Sequence, residues 1–281
     1  MRAIRHAILA AVVALVAMLS LAVPASAVTG GEPDGNRHPN VGLILFYQPD
    51  GRFRCSATLI SPTLVLTAAH CTQGTLGKTL VTFTSVIAEQ PPAPFPAAAD
   101  PSKGYTAKEL SDAGYFSGTA YTHPDYSDFT DLKNWNDVGV IVLDKPVSGI
   151  TPAKIAPARY LDQYKQPLLN KTIFTFVGYG TEVRKPDGGP QKPQPMSYPM
   201  LRRFADSQGQ KLTDQILQAN GNPNNTHGTG GTCFGDSGGP GFLNGYVVTV
   251  TSYGNTDNCR YIGGYQRVEI PGVQKWLATF A

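Results

Sequence analysis

Thr232-Cys233-Phe234-Gly235-Asp236-Ser237-Gly238-Gly239-Pro240 is the stretch on which the reading of this chain turns. A serine set among glycines can occupy a tight backbone bend that exposes its hydroxyl and leaves neighbouring N–H groups free to face a carbonyl oxygen. Gly, Asp, Ser and Pro are also the ordinary turn formers, so residues 235–240 alone do not separate a reactive serine from a simple turn. Two distant segments do. Thr67-Ala68-Ala69-His70-Cys71 lies upstream, and Asn136-Asp137-Val138-Gly139-Val140-Ile141-Val142-Leu143 lies between. A serine hydroxyl is a weak nucleophile near neutral pH and needs a base within hydrogen-bond reach; an imidazole serves if a carboxylate fixes its tautomer. His70 and Asp137 supply that pair. His38, His123 and His227 lack comparable surroundings, and His6 sits close to the N-terminus.

In the order His, Asp, Ser, these segments resemble the chymotrypsin-like (trypsin-fold) serine peptidases; other enzymes with the same three side chains place them in other orders. Further matches are Tyr121-Thr122-His123-Pro124-Asp125-Tyr126 ahead of Asp137, Gly178-Tyr179-Gly180 in place of the family's Gly-Trp-Gly, and Ser252-Tyr253-Gly254 in place of its Ser-Trp-Gly. The resemblance implies an all-β fold: two antiparallel six-stranded β-barrels with the active site between them, and a short C-terminal α-helix. It divides the chain into a first barrel over 28–147, a connecting segment over 148–166, and a second barrel with the helix over 167–281. It also implies a serine endopeptidase in which His70, Asp137 and Ser237 are catalytic and the N–H groups of Gly235 and Ser237 form an oxyanion hole. Protein or peptide substrates, a monomer, and no cofactor or metal follow from the same likeness, which leaves proteinaceous inhibitors open as partners.

Arg2 and Arg5, the apolar run over residues 7–23, and Ala25-Ser26-Ala27 have the three-part layout of a secretory signal over 1–27, which predicts an extracellular protein. Pro24 closes that run short of a bilayer span, and no later stretch is apolar enough to cross one. Cleavage after Ala27 exposes Val28-Thr29-Gly30-Gly31, similar to the Ile-Val-Gly-Gly start of activated relatives. The resemblance then implies an ion pair between the Val28 α-amino group and Asp236. With Arg2 and Arg5 set aside, the 23 basic residues fall to 21 against 20 acidic ones, too even a balance for a nucleic-acid or anionic-lipid partner. Four cysteines in an exported chain suggest two disulfides and allow three pairings, and no two have the close spacing of a zinc knuckle. The family likeness selects Cys55 with Cys71 and Cys233 with Cys259.

Short β-branched runs at 41–47, 55–60 and 64–67, punctuated by Pro49-Asp50-Gly51 and Ser61-Pro62, predict strands joined by hairpins, with a further strand over 80–86. Residues 90–101, rich in Pro and Ala, predict a surface loop, as does the Pro/Gly/Lys-rich 181–199. Asp137 opens an apolar run to Leu143 that predicts a buried strand; 172–177 and 246–251 read as strands too. The likeness fades between Met200 and Gly231, where 220–231 reads as loop and Gln218 stands where relatives often carry a cysteine. Val273, Trp276, Leu277 and Phe280, behind Pro271, fall at i, i+3, i+4 and i+7 and predict a short amphipathic helix docked on the body.

Relatives that cleave after Lys or Arg carry an acidic residue six positions before the nucleophile; here that position is Gly231. Without the carboxylate a buried cation stays unpaired. Gly254 and Gly263 leave the pocket open, and Thr251 replaces the histidine of relatives that cleave after Glu. The pocket set Gly231, Thr232, Ser252, Gly254 and Gly263 therefore predicts cleavage after neutral, apolar or aromatic residues, unless Asp206 or Asp257 reaches in. Two other functions share these residues: a triad fold kept as a catalytically silent binding protein, and a narrow esterase or amidase, since a nucleophilic serine does not itself choose amide over ester.

Overall fold

Residues 41–47 are buried without a break, which a strand achieves only when both of its faces are covered. A computed structural model describes residues 29–183 and 196–280 of the chain. The expected leader, Val28 and most of the 181–199 loop lie outside the described residues. The buried run is β1 (Val41–Gln48), followed by β2 (Gly51–Ser61), β3 (Leu64–Thr67), β4 (Leu76–Thr82), β5 (Phe116–Thr122) and β6 (Gly139–Leu143). These close an antiparallel barrel in the order β1-β2-β3-β6-β5-β4. Ile44 and Phe46 face its interior with Ala57, Leu59 and Ile141. Val41, Leu43, Leu45 and Tyr47 face outward and pack with Tyr105, Leu110 and Tyr179.

That outer layer revises two expectations. The 90–101 insert is cover as well as loop: Ala98 is buried, and Phe95 packs against the same cluster. It leads to α1 (Ala107–Asp112), whose start is fixed by a reciprocal capping box between Thr106 and Glu109. The strand expected over 80–86 instead runs Leu76–Thr82, because β1 pairs it from Tyr47 with Leu76 to Leu43 with Thr82. Val86–Ala88 leaves the barrel and pairs with Met200–Leu201.

The second barrel consists of β7 (Ile173–Gly178), β8 (Arg203–Leu212), β9 (Ile216–Asn220), β10 (Pro240–Leu243), β11 (Tyr246–Gly254) and β12 (Ile262–Arg267). It closes as β7-β8-β9-β12-β11-β10, the same circuit as the first barrel. Phe174, Phe176, Leu217, Val248 and Tyr265 fill it. The predicted C-terminal helix is α2 (Pro271–Leu277), with Pro271 at its first turn and a 3-10 turn, Ala278–Phe280, after it. Its Val273 and Leu277 bury against Leu64, Leu66 and Val140 of one barrel and Val247 and Val250 of the other. Burial of each such side chain contributes about 1.5–3 kcal/mol, so α2 clamps the barrels together. Trp276 packs on His123 with centroids 4.9 Å apart, and burial lowers the His123 pKa, which gives this histidine a packing role. No helix among the described residues is long and apolar enough to cross a membrane.

Candidate active site

His70 lies where β3 runs out. Ala68 is still extended, and Ala69–Cys71 form one 3-10 turn that the Cys55–Cys71 disulfide ties back to β2. Asp137 lies just ahead of β6 and is fully buried. The backbone N–H of His70 donates to Asp137 Oδ1 at 3.0 Å, and the ring Nδ1 meets Oδ2 at 2.9 Å. An ionised carboxylate only accepts hydrogen bonds, so Nδ1 carries the proton and the Nε2 lone pair is left for another group. Ser252 Oγ donates to the same Oδ2 at 2.6 Å, and the Asp137 N–H donates to Gln266 Oε1 at 3.1 Å. Both second-barrel residues therefore fix an acid carried by the first barrel.

The loop with Ser237 comes from the other barrel and is pulled against β2. Ser56 donates its N–H to the Ser237 carbonyl at 2.8 Å and its hydroxyl to the Gly235 carbonyl at 2.9 Å, while accepting the Tyr179 N–H at 2.9 Å. Gly238, at φ 75°, makes the approach sterically feasible: a Cβ there would lie 2.0 Å from Thr67 Oγ1 and 2.7 Å from the Ala68 nitrogen. The chain leading to His70 and the loop holding Ser237 thus lie side by side, with no hydrogen bond between His70 and Ser237 themselves among the described residues.

Backbone planarity aims the neighbouring donors. The Phe234 carbonyl accepts the Thr181 N–H at 2.7 Å, and the Asp236 carbonyl accepts the Gly239 N–H at 2.8 Å. In a trans peptide the N–H points opposite to the C=O, so the Gly235 and Ser237 N–H groups face away from these pinned carbonyls. Neither N–H has a protein acceptor among the described residues. Between them, Asp236 turns inward and is fully buried, accepting the Gly180 N–H at 2.7 Å and the Cys233 N–H at 2.8 Å. Burial pushes its pKa up to about 7, against those two donors and the charge of Arg54. The expected partner Val28 lies outside the described residues; its neighbour Thr29 pairs with Gly231 beside the loop. Cys233 is bonded to Cys259, as Cys55 is to Cys71. Cys55, His70 and Cys71 cluster closely enough to suggest a metal, but both sulfurs are consumed in that disulfide.

The family model for trypsin matches residues 28–277. The chain belongs to the trypsin family. It is 30% identical over 234 residues to a trypsin of Saccharopolyspora erythraea, covering 81% of this chain and 86% of that one. It is 29% identical over 234 residues to a glandular kallikrein of Sus scrofa, covering 81% and 84%. Among solved structures, Hl collagenase superposes with a TM-score of 0.59 at 17% identity, over 91% of this chain and 96% of that one, a likeness of fold.

In this trypsin-family chain a cavity of about 200 Å³ opens beside Ser237. Of the residues expected to form the pocket, Thr232, Ser252 and Gly254 line it, with Cys233, Thr251 and Tyr253. Gly231 and Gly263 are not among the lining residues. Gly231 packs on Gly221, and a Cβ on Gly263 would meet the Tyr265 hydroxyl at 2.4 Å. That hydroxyl bonds Thr232 Oγ1 at 3.1 Å, and burial raises its pKa, so a neutral phenol lies next to the pocket. Asp257 also lines the cavity and is exposed, whereas Asp206 is not among the lining residues and accepts from Thr175 at 2.7 Å. Sequence reasoning missed Ser56, Thr181, Gln266 and Tyr265, all of which act through contacts far from their own place in the chain.

Proposed function

We propose that this chain is a secreted serine endopeptidase working through an acyl-enzyme. His70 Nε2 takes the proton of Ser237 as its Oγ attacks the scissile carbonyl, and Asp137 stabilises the imidazolium that forms. The N–H groups of Gly235 and Ser237 receive the oxyanion, a stabilisation whose loss costs about 10²–10³ in rate per donor. The imidazolium then protonates the leaving amine, and water, deprotonated by His70, releases the acyl group. Removal of residues 1–27 frees the Val28 α-amino group to pair with Asp236, whose buried carboxylate feels the charge of Arg54 but makes no ion pair among the described residues. The pocket carries one acidic side chain in its lining, the exposed Asp257, and otherwise uncharged residues, a lining that favours an apolar or aromatic residue on the acyl side of the cut bond. Export is supported by the two disulfides, which belong to oxidising compartments.

The observation that carries this reading is His70 held twice by a buried carboxylate, with the Gly238 that follows Ser237 packed on the Thr67-Ala68 segment that precedes His70, and Gly235 and Ser237 N–H groups that have no protein acceptor among the described residues. A silent binding protein has no use for that arrangement. Labelling of Ser237 by a fluorophosphonate, abolished in Ser237→Ala, tests the nucleophile. Mass-spectrometric mapping of bonds cut in a peptide mixture tests the rest: turnover of small esters alone makes the protein an esterase, and frequent cuts after Lys or Arg refute the pocket assignment.

A further inference from the structure

Asn136 sits in the left-handed region at φ 45°, and across this kink Trp135 and Asp137 both turn their side chains toward one hydroxyl, that of Ser252. Trp135 Nε1 donates to Ser252 Oγ at 2.9 Å, and Ser252 Oγ donates to Asp137 Oδ2 at 2.6 Å. An indole N–H only donates, so it occupies a lone pair of Ser252 and directs that hydroxyl's single proton onto the carboxylate. Oδ2 is also the oxygen that accepts from His70. The indole is held firmly: it is buried, its ring lies 5.3 Å from Phe129 and 5.4 Å from Tyr253, and its carbonyl accepts the Ser127 N–H at 3.3 Å.

We propose that Trp135 is a positioning residue for the reaction, acting through Ser252 to keep Asp137 and hence the His70 ring in their working orientation. The proposal rests on His70, Asp137 and Ser237 being the catalytic set. Trp135→Phe keeps a ring in place and removes the donor. With a peptide or ester that the native chain hydrolyses, kcat falls about tenfold while KM is unchanged, the size expected for one buried hydrogen bond. In a Ser252→Ala background the same substitution leaves kcat where it was. An equal loss in both backgrounds, or a loss confined to KM, overturns the proposal. Where Trp135→Phe does not fold, replacing Trp135 by 3-benzothienylalanine, the isostere with sulfur in place of N–H, gives the same comparison.

A second readout is independent of turnover. The chain has two tryptophans, so nitrogen-15 spectra of Ser237→Ala protein identify the Trp135 indole by its loss on substitution. Its N–H signal moves upfield and exchanges faster with solvent when Ser252→Ala is added; an unmoved signal overturns the proposal. Should native protein take no fluorophosphonate and cut nothing while the signal still moves, the hydrogen-bond chain stands and the catalytic assignment is what fails.

Discussion

Ser56, within β2 of the first barrel, donates its hydroxyl to the carbonyl of Gly235 in the second at 2.9 Å. The contact spans 179 positions of sequence; Ser56 is fully buried and Gly235 partly so. Ser56→Ala leaves the Gly235 carbonyl and the Tyr179 N–H without their partner, at about 1–3 kcal/mol for each unsatisfied group. We expect a lower urea midpoint with unchanged slope. Because the Gly235 peptide is then less firmly held, kcat should fall by about tenfold, less than the loss of an oxyanion donor outright. Steady-state kinetics alongside unfolding curves check both, and a variant of native stability and native kcat rejects the role given to this hydroxyl.

Asp236 sets a pH response opposite to that of an ordinary surface acid. Burial raises its pKa from 3.8 to about 7 despite two backbone donors and the charge of Arg54. The folded chain then holds the proton more tightly than the unfolded one, so this contribution to stability is complete below 3.8 and lost as pH rises through about 7. A shift of that size corresponds to about 4 kcal/mol. A chain extended by a short polar tag ahead of Val28 should lose stability across the window, and Asp236→Asn should flatten the loss. A chain beginning at Val28 should lose less, since its α-amino group opposes the new charge. Urea midpoints across the window decide it; a slope that survives Asp236→Asn removes the assignment.

What was readable from sequence and what was not divide on physical grounds. Residues 67–71 and 235–240 announce themselves because the proposed chemistry calls for particular residue types side by side. Ser56 and Gln266 do not, since each looks like any strand residue until the fold brings it 179 or 129 positions across the chain to Gly235 or Asp137. β8 was hidden for a different reason. Its buried positions are Arg203, Ala205, Ser207 and Gly209, so the inward face of the strand is small or polar and its alternation leaves no apolar signature. Of the residues expected at the pocket, Thr232, Ser252 and Gly254 line the cavity beside Ser237, while Gly231, chosen by counting back from Ser237, bridges to Thr29.

That placement of Gly231 gives a specificity prediction. A Cβ at this position would lie 2.4 Å from the Gly221 Cα, a backbone contact that cannot yield cheaply. Gly231→Asp should therefore destabilise the fold by about 1–3 kcal/mol or more without conferring cleavage after Lys or Arg. At Gly254, by contrast, a Cβ meets nothing within 4 Å and the residue lines the cavity. Gly254→Val should keep the melting temperature and lower kcat/KM for aromatic residues by about tenfold relative to small ones, the scale of methylene-sized changes in an apolar pocket. A panel of chromogenic peptides differing only in that residue measures the ratio. Efficient turnover of a lysyl substrate by Gly231→Asp contradicts the geometry.

Arg202 Nε meets Asp34 Oδ2 at 2.8 Å with both side chains fully buried, and the same guanidinium donates to the Val41 and Phe83 carbonyls and to Asn36. The N-terminal segment, the first barrel and the approach to β8 are thus tied through one cation. Removing one member of such a pair leaves the other uncompensated, at about 3–5 kcal/mol, whereas a half-exposed surface pair contributes about 0–1 kcal/mol. Asp34→Asn should accordingly cost far more than breaking Lys78–Asp144, which stays partly open to solvent. The pH dependence has the opposite sign to that of Asp236. Burial alone raises the Asp34 pKa, but hydrogen bonds from His38 and Arg202 outweigh it and hold it at about 2. Its contribution is complete above 3.8 and lost as pH falls through about 2. In a chain extended ahead of Val28 the two acids therefore respond in opposite directions, the Asp34 contribution being lost as pH falls below 3.8 and the Asp236 contribution as it rises above. Asp34→Asn should lower the acid limb's slope and leave the neutral limb unchanged, and Asp236→Asn should do the reverse. Urea midpoints of the two single variants and the double, which should add because the sites share no partner, test the pair together, and a variant that flattens both limbs contradicts their independence.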